Sequence, residues 1–273
     1  MNIRRAVFLF LVLVLGYAMW GRFVDSMIFF PERGVALTPE QLGIDGEEVF
    51  FDTEDGVRIH AFYLPVPDAQ RALLFLHGNA GNASHRLPNA AELARLDCSV
   101  LVIDYRGYGL SEGKASEAGV FADARAGLRH LTEPLGYPEN RIVVFGRSLG
   151  GAVAVDLAQD RQLAGVILES TFPSIADIVS NGPAGAWLGA LAGRRFDSAS
   201  KIGRIRVPLL FFHGDRDEII DHELGRRLFA LAPQPKAFET IPGAGHNDLT
   251  QVGGRRYFER IREFLEEVAP SSP

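Results

Sequence analysis

Residues 141–151 read Arg-Ile-Val-Val-Phe-Gly-Arg-Ser-Leu-Gly-Gly, and they limit what this chain can fold into more than any other stretch. Ile142, Val143, Val144 and Phe145 are β-branched or aromatic. They are too few for a helix and suit a strand buried on both faces. Gly146-Arg147-Ser148-Leu149-Gly150 follows at once, and residues 151–158 read as a helix packed closely through small side chains. A serine in G-x-S-x-G between strand and helix sits on a sharp, strained turn, with glycines two residues to either side leaving room for neighbouring backbone. Ser148 Oγ is then expected to point into a cleft, above a helix N-terminus that favours negative charge. Outside that context the same five residues would be an ordinary turn.

The remaining composition narrows the partners. At 273 residues and 47% hydrophobic, the chain can bury one large α/β core. Its net charge of −6 is interspersed, with no long basic run, which argues against nucleic acid as a partner. The single cysteine, Cys98, excludes an internal disulfide framework and reads as a buried structural thiol before the apolar residues 100–103.

Residues 1–22 differ in character. Arg4 and Arg5 precede an uncharged apolar run over 6–21 that Arg22 closes. The run is slightly short of the ~20 residues that span a bilayer, within reach if the arginines snorkel. We expect an uncleaved membrane anchor; a cleaved signal peptide competes, although Ala18-Met19-Trp20 makes a poor cleavage site. The positive-inside bias places the N-terminus in the cytoplasm and the globular part across the membrane, or free in the periplasm or outside after cleavage. Residues 23–46 form a connector whose Met27-Ile28-Phe29-Phe30-Pro31 is expected to pack on the domain or lie at the membrane surface.

Residues 47–273 form the domain. Strands are expected at 49–51 and 57–64, separated by the turn Glu54-Asp55-Gly56 as a hairpin, then at 72–76, 100–104, 142–145, 165–168, 207–212 and 237–241. Helices are expected at about 84–96, 116–131, 151–158, 221–231 and 253–268. This alternation implies a mostly parallel sheet with helices on both faces and ligands beyond the carboxyl ends of the strands. A small cap at about 173–200 breaks the pattern; its small, apolar residues with one Trp read as a plain connection or as a lid over an acyl pocket.

A serine hydroxyl needs a base to take its proton and a third group to hold that base. His246, in Pro242-Gly243-Ala244-Gly245-His246, follows the last strand on a glycine-rich loop that can lay its imidazole over Ser148. Of the other histidines, His60 belongs to the hairpin, His130 and His222 to helices, and His77 and His213 to strand ends, where they shape turns. Asp217, just past the tip of the strand before the last α/β unit, is the chosen acid. Asp215 and Asp221 compete but read as turn and N-cap residues, and Glu169 ends the adjacent strand. The developing oxyanion needs preorganised donors. The amides of Leu149 and Asn79 are assigned, with Ala80 the alternative to Asn79. Asp104-Tyr105-Arg106-Gly107-Tyr108-Gly109 lacks the spacing and lysine of a phosphate loop, so Asp104 and Arg106 are expected to tie loops together. No metal-ligand spacing appears, and the chemistry is expected to need neither metal nor cofactor.

These pieces, with His77-Gly78-Asn79-Ala80-Gly81-Asn82 and His213-Gly214-Asp215-Arg216-Asp217, resemble the serine α/β-hydrolase superfamily. They are most similar to its membrane-anchored α/β-hydrolase-domain branch of depalmitoylases and bacterial envelope hydrolases. The resemblance implies an eight-stranded sheet with its second strand antiparallel, a cap after the sixth strand, Ser148, Asp217 and His246 as triad, and an N-terminal hydrophobic segment. The cysteine-rich N-terminus of the mammalian depalmitoylases is absent. The expected activity is hydrolysis of carboxylic esters or thioesters through an acyl-enzyme, on a small-molecule or lipid-like acyl substrate. An amidase or peptidase on the same triad and a non-catalytic binding protein are the alternatives.

Overall fold

The computed structural model describes residues 25–180 and 193–270. Eight strands form one sheet: β1 (Glu47–Asp52), β2 (Arg58–Leu64), β3 (Ala72–Leu76), β4 (Ser99–Ile103), β5 (Ile142–Arg147), β6 (Gly165–Glu169), β7 (Leu209–Gly214) and β8 (Lys236–Ile241). Their spatial order is β8-β7-β6-β5-β3-β4-β2-β1. β2 is antiparallel to both neighbours and every other pairing is parallel, as the resemblance implies. The sheet's centre falls where β3, β5 and β6 are buried throughout, which their unbroken apolar runs require.

Strand alternation sorts the core into two layers. Leu74, Leu101, Val144, Leu168 and Phe211 face α2 (Glu117–Thr132), α3 (Leu149–Ala158) and α6 (His222–Leu231). Leu73, Val102, Phe145, Ile167 and Phe212 face α1 (Leu87–Ala94) and α7 (Leu249–Val268). Ser116 caps α2 by accepting from the Gly119 amide, and Asp221 caps α6 by accepting from Glu223, the N-cap role expected of it.

Some boundaries moved, for local reasons. The helix expected from 84 opens as a 3₁₀ turn, Ala83–Arg86, because Pro88 has no N–H to donate back to residue 84. β7 starts after Pro208 rather than at 207. α7 starts earlier than expected, at Leu249, and breaks at Gly254, whose φ is +52°.

The connector divides its apolar residues. Ile28 and Phe29 are buried, with the Phe29 ring 5.9 Å from Phe196, while Met27 and Phe30 are exposed. Phe30–Pro31 pairs in parallel with Ala80–Gly81. Of the expected cap, α4 (Ile175–Ser180) and α5 (Ser198–Lys201) are described. Its centre, 181–192, and the apolar run of 1–22 lie outside the described residues. Among the described residues no helix is long and apolar enough to cross a membrane.

Candidate active site

Ser148 stands between β5 and α3 at φ +54°, ψ −119°, a conformation that L-residues avoid. Its neighbours hold it there. The Ser148 amide donates to Glu169 O at 2.8 Å, and Ser148 O accepts from the Gly151 amide and from Thr171 Oγ1. The flanking glycines are sterically required. A Cβ on Gly150 would lie 2.0 Å from Leu76 O, and one on Gly146 would lie 2.4 Å from Gly150 O. Both contacts are impossible, so the strand–turn–helix closes only with glycine at these positions.

His246 reaches the same point from the loop after β8. Its Nε2 is 3.1 Å from Ser148 Oγ and its Nδ1 is 2.8 Å from Asp217 Oδ2. Asp217 Oδ1 accepts from the amides of Ile219 and Ile220, so the carboxylate is fixed by its own turn. Burial works to raise the Asp217 carboxyl, but hydrogen bonds from His213 and His246 outweigh it and hold the group well below the usual carboxylate range. Asp217 is therefore an anion that accepts from Nδ1–H, which leaves Nε2 free to accept the serine proton. Ser148 is half-buried, and Asp217 and His246 are buried.

The competing acids are occupied elsewhere. Glu169 is fully buried, accepts from Tyr257 OH at 2.5 Å and lies 3.0 Å from Arg147 Nε. Arg147 in turn donates to His246 O at 3.0 Å, so the residue before Ser148 also braces the histidine loop. Asp215 accepts from the Gly243 amide. His213 Nε2 lies between Ile220 O at 2.9 Å and Asp217 Oδ2 at 3.3 Å and so supports the acid, His130 stacks on Phe51, and His222 contacts Thr240 Oγ1. His60 Nδ1 pairs with Asp104 at 2.7 Å.

Two backbone segments approach Ser148 as the oxyanion assignment needs. Leu149 opens α3, so its N–H is among the first helical amides, which have no intrahelical acceptor. The loop after β3 comes so close that a Cβ on Gly78 would lie 3.2 Å from Ser148 Cβ. Asn79 follows Gly78 in that loop. Asp104 and Arg106 tie loops together, as expected. Asp104 Oδ1 accepts from the Ala83 amide, and Arg106 bonds both Asp123 and Asp55.

Several residues of this edge were not singled out from the sequence. Phe30 N–H donates to Asn79 Oδ1 at 3.1 Å, and Tyr105 and Tyr108 hydroxyls reach the loop after β3. Arg86 Nη2 donates to Ala80 O, and His85 joins Asn82 in a reciprocal cap. A tyrosine in a glycine-rich loop carries no signal of its acceptor, and a two-residue strand carries no periodicity.

Comparison with known proteins gives consistent relatives. A family described as serine aminopeptidase, S33 (Hydrolase_4) matches residues 67–200, a span that contains Ser148 and Asn79 but neither Asp217 nor His246. A protein of Mycobacterium tuberculosis, described as uncharacterised, is 38% identical over 89% of this chain and 87% of its own length. The α/β hydrolase domain-containing protein WAV2 of Arabidopsis thaliana is 33% identical over 95% of this chain and 92% of its own. Among solved structures, an esterase of Pyrococcus furiosus superposes with a TM-score of 0.72 at 22% identity, covering 88% of this chain and 98% of that one. That last likeness is one of fold.

Proposed function

We propose an activity for this chain from one premise: it belongs to the α/β-hydrolase superfamily. Within that family it is a hydrolase, and our reading is that it cleaves carboxylic esters or thioesters through an acyl-enzyme. The observation that carries the reading is the unbroken hydrogen-bonded line from Asp217 Oδ2 through His246 to Ser148 Oγ.

In this mechanism His246 Nε2 takes the proton from Ser148 Oγ as the oxygen attacks the acyl carbon. Asp217, held ionised by its hydrogen bonds, stabilises the imidazolium through Nδ1–H. The amides of Leu149 and Asn79 receive the charge that develops on the carbonyl oxygen. His246 then gives its proton to the departing alkoxide or thiolate, and the acyl group stays on Ser148. Water, deprotonated by the same imidazole, attacks the acyl carbon and frees the acid and the serine.

An amidase or peptidase on the same residues is the second reading, favoured by the serine aminopeptidase description of the family that matches residues 67–200. A panel of p-nitrophenyl esters and aminoacyl p-nitroanilides separates the two: we expect turnover of the esters, and turnover of the anilides alone would reverse the assignment. We further propose that the apolar run of 6–21 anchors the chain in a membrane as a single span, with the domain outside the cytoplasm. Exposed Met27 and Phe30, a few residues after that run, support a connector that lies at the membrane surface.

A further inference from the structure

The loop that approaches Ser148 has an unusual property: four successive carbonyls, those of residues 77–80, each accept a hydrogen bond from a side chain. Tyr105 OH donates to His77 O at 3.1 Å, and His77 Nδ1 lies 2.6 Å from Gly78 O. Tyr108 OH donates to Asn79 O at 2.8 Å, and Arg86 Nη2 donates to Ala80 O at 2.6 Å. In a trans peptide the C=O and the following N–H point opposite ways. Fixing Gly78 O therefore fixes the Asn79 N–H, and fixing Asn79 O fixes the Ala80 N–H. These are the two amides weighed as the second oxyanion donor.

We propose that His77 and Tyr108 are positioning residues for the oxyanion hole: His77 holds Gly78 O, the far side of the peptide that carries the Asn79 N–H, and Tyr108 holds the carbonyl and side chain of Asn79 itself, so that the Asn79 amide faces Ser148. This rests on the serine-hydrolase reading above.

The chemistry of the two side chains suits the role. A contact of 2.6 Å between His77 Nδ1 and a carbonyl oxygen is tolerable only if Nδ1 carries the proton, so the imidazole donates there. Its ring is fully buried and packs against both tyrosines, 4.5 Å from Tyr105 and 5.2 Å from Tyr108 between centroids. Burial keeps both phenols protonated, pushing them above their ordinary value, so both hydroxyls remain donors. The Asn79 side chain adds a second restraint. Its Oδ1 accepts from Phe30 N–H and from Tyr108 OH, each at 3.1 Å, so the connector and the Tyr105–Tyr108 loop grip the same residue.

The clamp acts on a donor and not on substrate, so it should matter only when charge forms on the carbonyl oxygen. The test is Tyr108→Phe in the full chain, which keeps the ring and deletes the hydroxyl. Measured on a soluble p-nitrophenyl ester, kcat should fall at least about tenfold, and by less than the ~10²–10³ that losing a donor outright costs. KM should stay within about threefold. The inhibition constant of a trifluoromethyl ketone, whose adduct with the serine carries the same oxyanion, should weaken by the factor lost in kcat/KM. An unchanged kcat, or a lowered kcat with undiminished ketone affinity, overturns the clamp. His77→Phe should show the same signature with a larger loss, and if it does not fold, Tyr108→Phe alone decides. Wild-type labelling by a fluorophosphonate at Ser148 separates the outcomes: if that labelling is absent, the serine-hydrolase reading has failed, and if it is present with Tyr108→Phe unaffected, only the clamp has.

Discussion

A buried imidazole at the end of β3 gives the molecule a pH dependence that can be worked out at the level of one residue. His77 is fully buried, and burial pushes its value from 6.5 down to about 4. It stays neutral in the folded chain, whereas in the unfolded chain it takes up a proton once the pH drops below about 6.5. Between those values the unfolded state binds more protons, so the stability this group supplies, complete above 6.5, is lost as the pH falls toward 4. Each pH unit in that window removes at most about 1.4 kcal/mol. Urea midpoints measured from pH 7 to 4.5 should therefore fall more steeply for wild type than for His77→Gln; equal slopes would contradict the assignment. The proposed chemical residues were legible one by one. Ser148, Asp217 and His246 each follow a strand on turn-forming sequence, and the sheet brings their side chains within 3.1 Å of one another in series. His77 was read as a residue that shapes its turn, and its bond to Gly78 O agrees. Its tyrosine neighbours were not legible, because the acceptor of a buried hydroxyl is set by tertiary contact alone.

Which strand end supplies the acid is a question about elements. β6 ends in Glu169 and β7 leads to Asp217, and both lie at the carboxyl edge. The Glu169 carboxylate turns under the sheet edge to Tyr257 of α7 and to Arg147, while the tight turn after β7 aims Asp217 at His246. Asp217→Asn should lower kcat by about 10⁴, the loss seen when a triad acid is neutralised. Glu169→Gln should leave kcat within a few-fold and instead cost stability, about 1–3 kcal/mol, by weakening a buried charged contact. Steady-state kinetics with parallel denaturation curves check both, and a silent Asp217→Asn with a slow Glu169→Gln would reverse the roles. Strand positions were read to within a few residues because unbroken apolar runs of about five residues between polar turns admit little else. The misplaced boundaries trace to Pro88, Pro208 and Gly254, where a missing N–H or a positive φ decides the end of an element. The pairing of Phe30–Pro31 with Ala80–Gly81 was invisible, since two residues have no pattern.

For the molecule as a whole, the connector is the link between the N-terminal run and the proposed site. Asp25 pairs with Arg195 at 2.8 Å, Phe29 packs on Phe196, and Phe30 bonds Asn79, so residues 25–30 join the end of the cap segment to the loop after β3. Asp25, Phe29 and Phe30 follow the apolar run within about ten residues of the sequence. Deleting residues 2–22 should accordingly move the protein from the membrane to the soluble fraction while leaving kcat/KM on a soluble ester unchanged. Retention at the membrane would contradict the anchor. The parallel order followed from the alternation of strands and helices, and the antiparallel second strand was implied by the resemblance. The contribution of the connector was not, because its contacts run between segments about 50 and 170 residues apart.

The central claim is that Ser148 is a nucleophile served by His246 and Asp217. Intact-mass and peptide-mapping spectrometry of the full chain after exposure to a fluorophosphonate tests it most directly. A single adduct on Ser148, absent from Ser148→Ala and formed orders of magnitude more slowly in His246→Ala, is the predicted result. An adduct at another residue, or full ester turnover by Ser148→Ala, would contradict it.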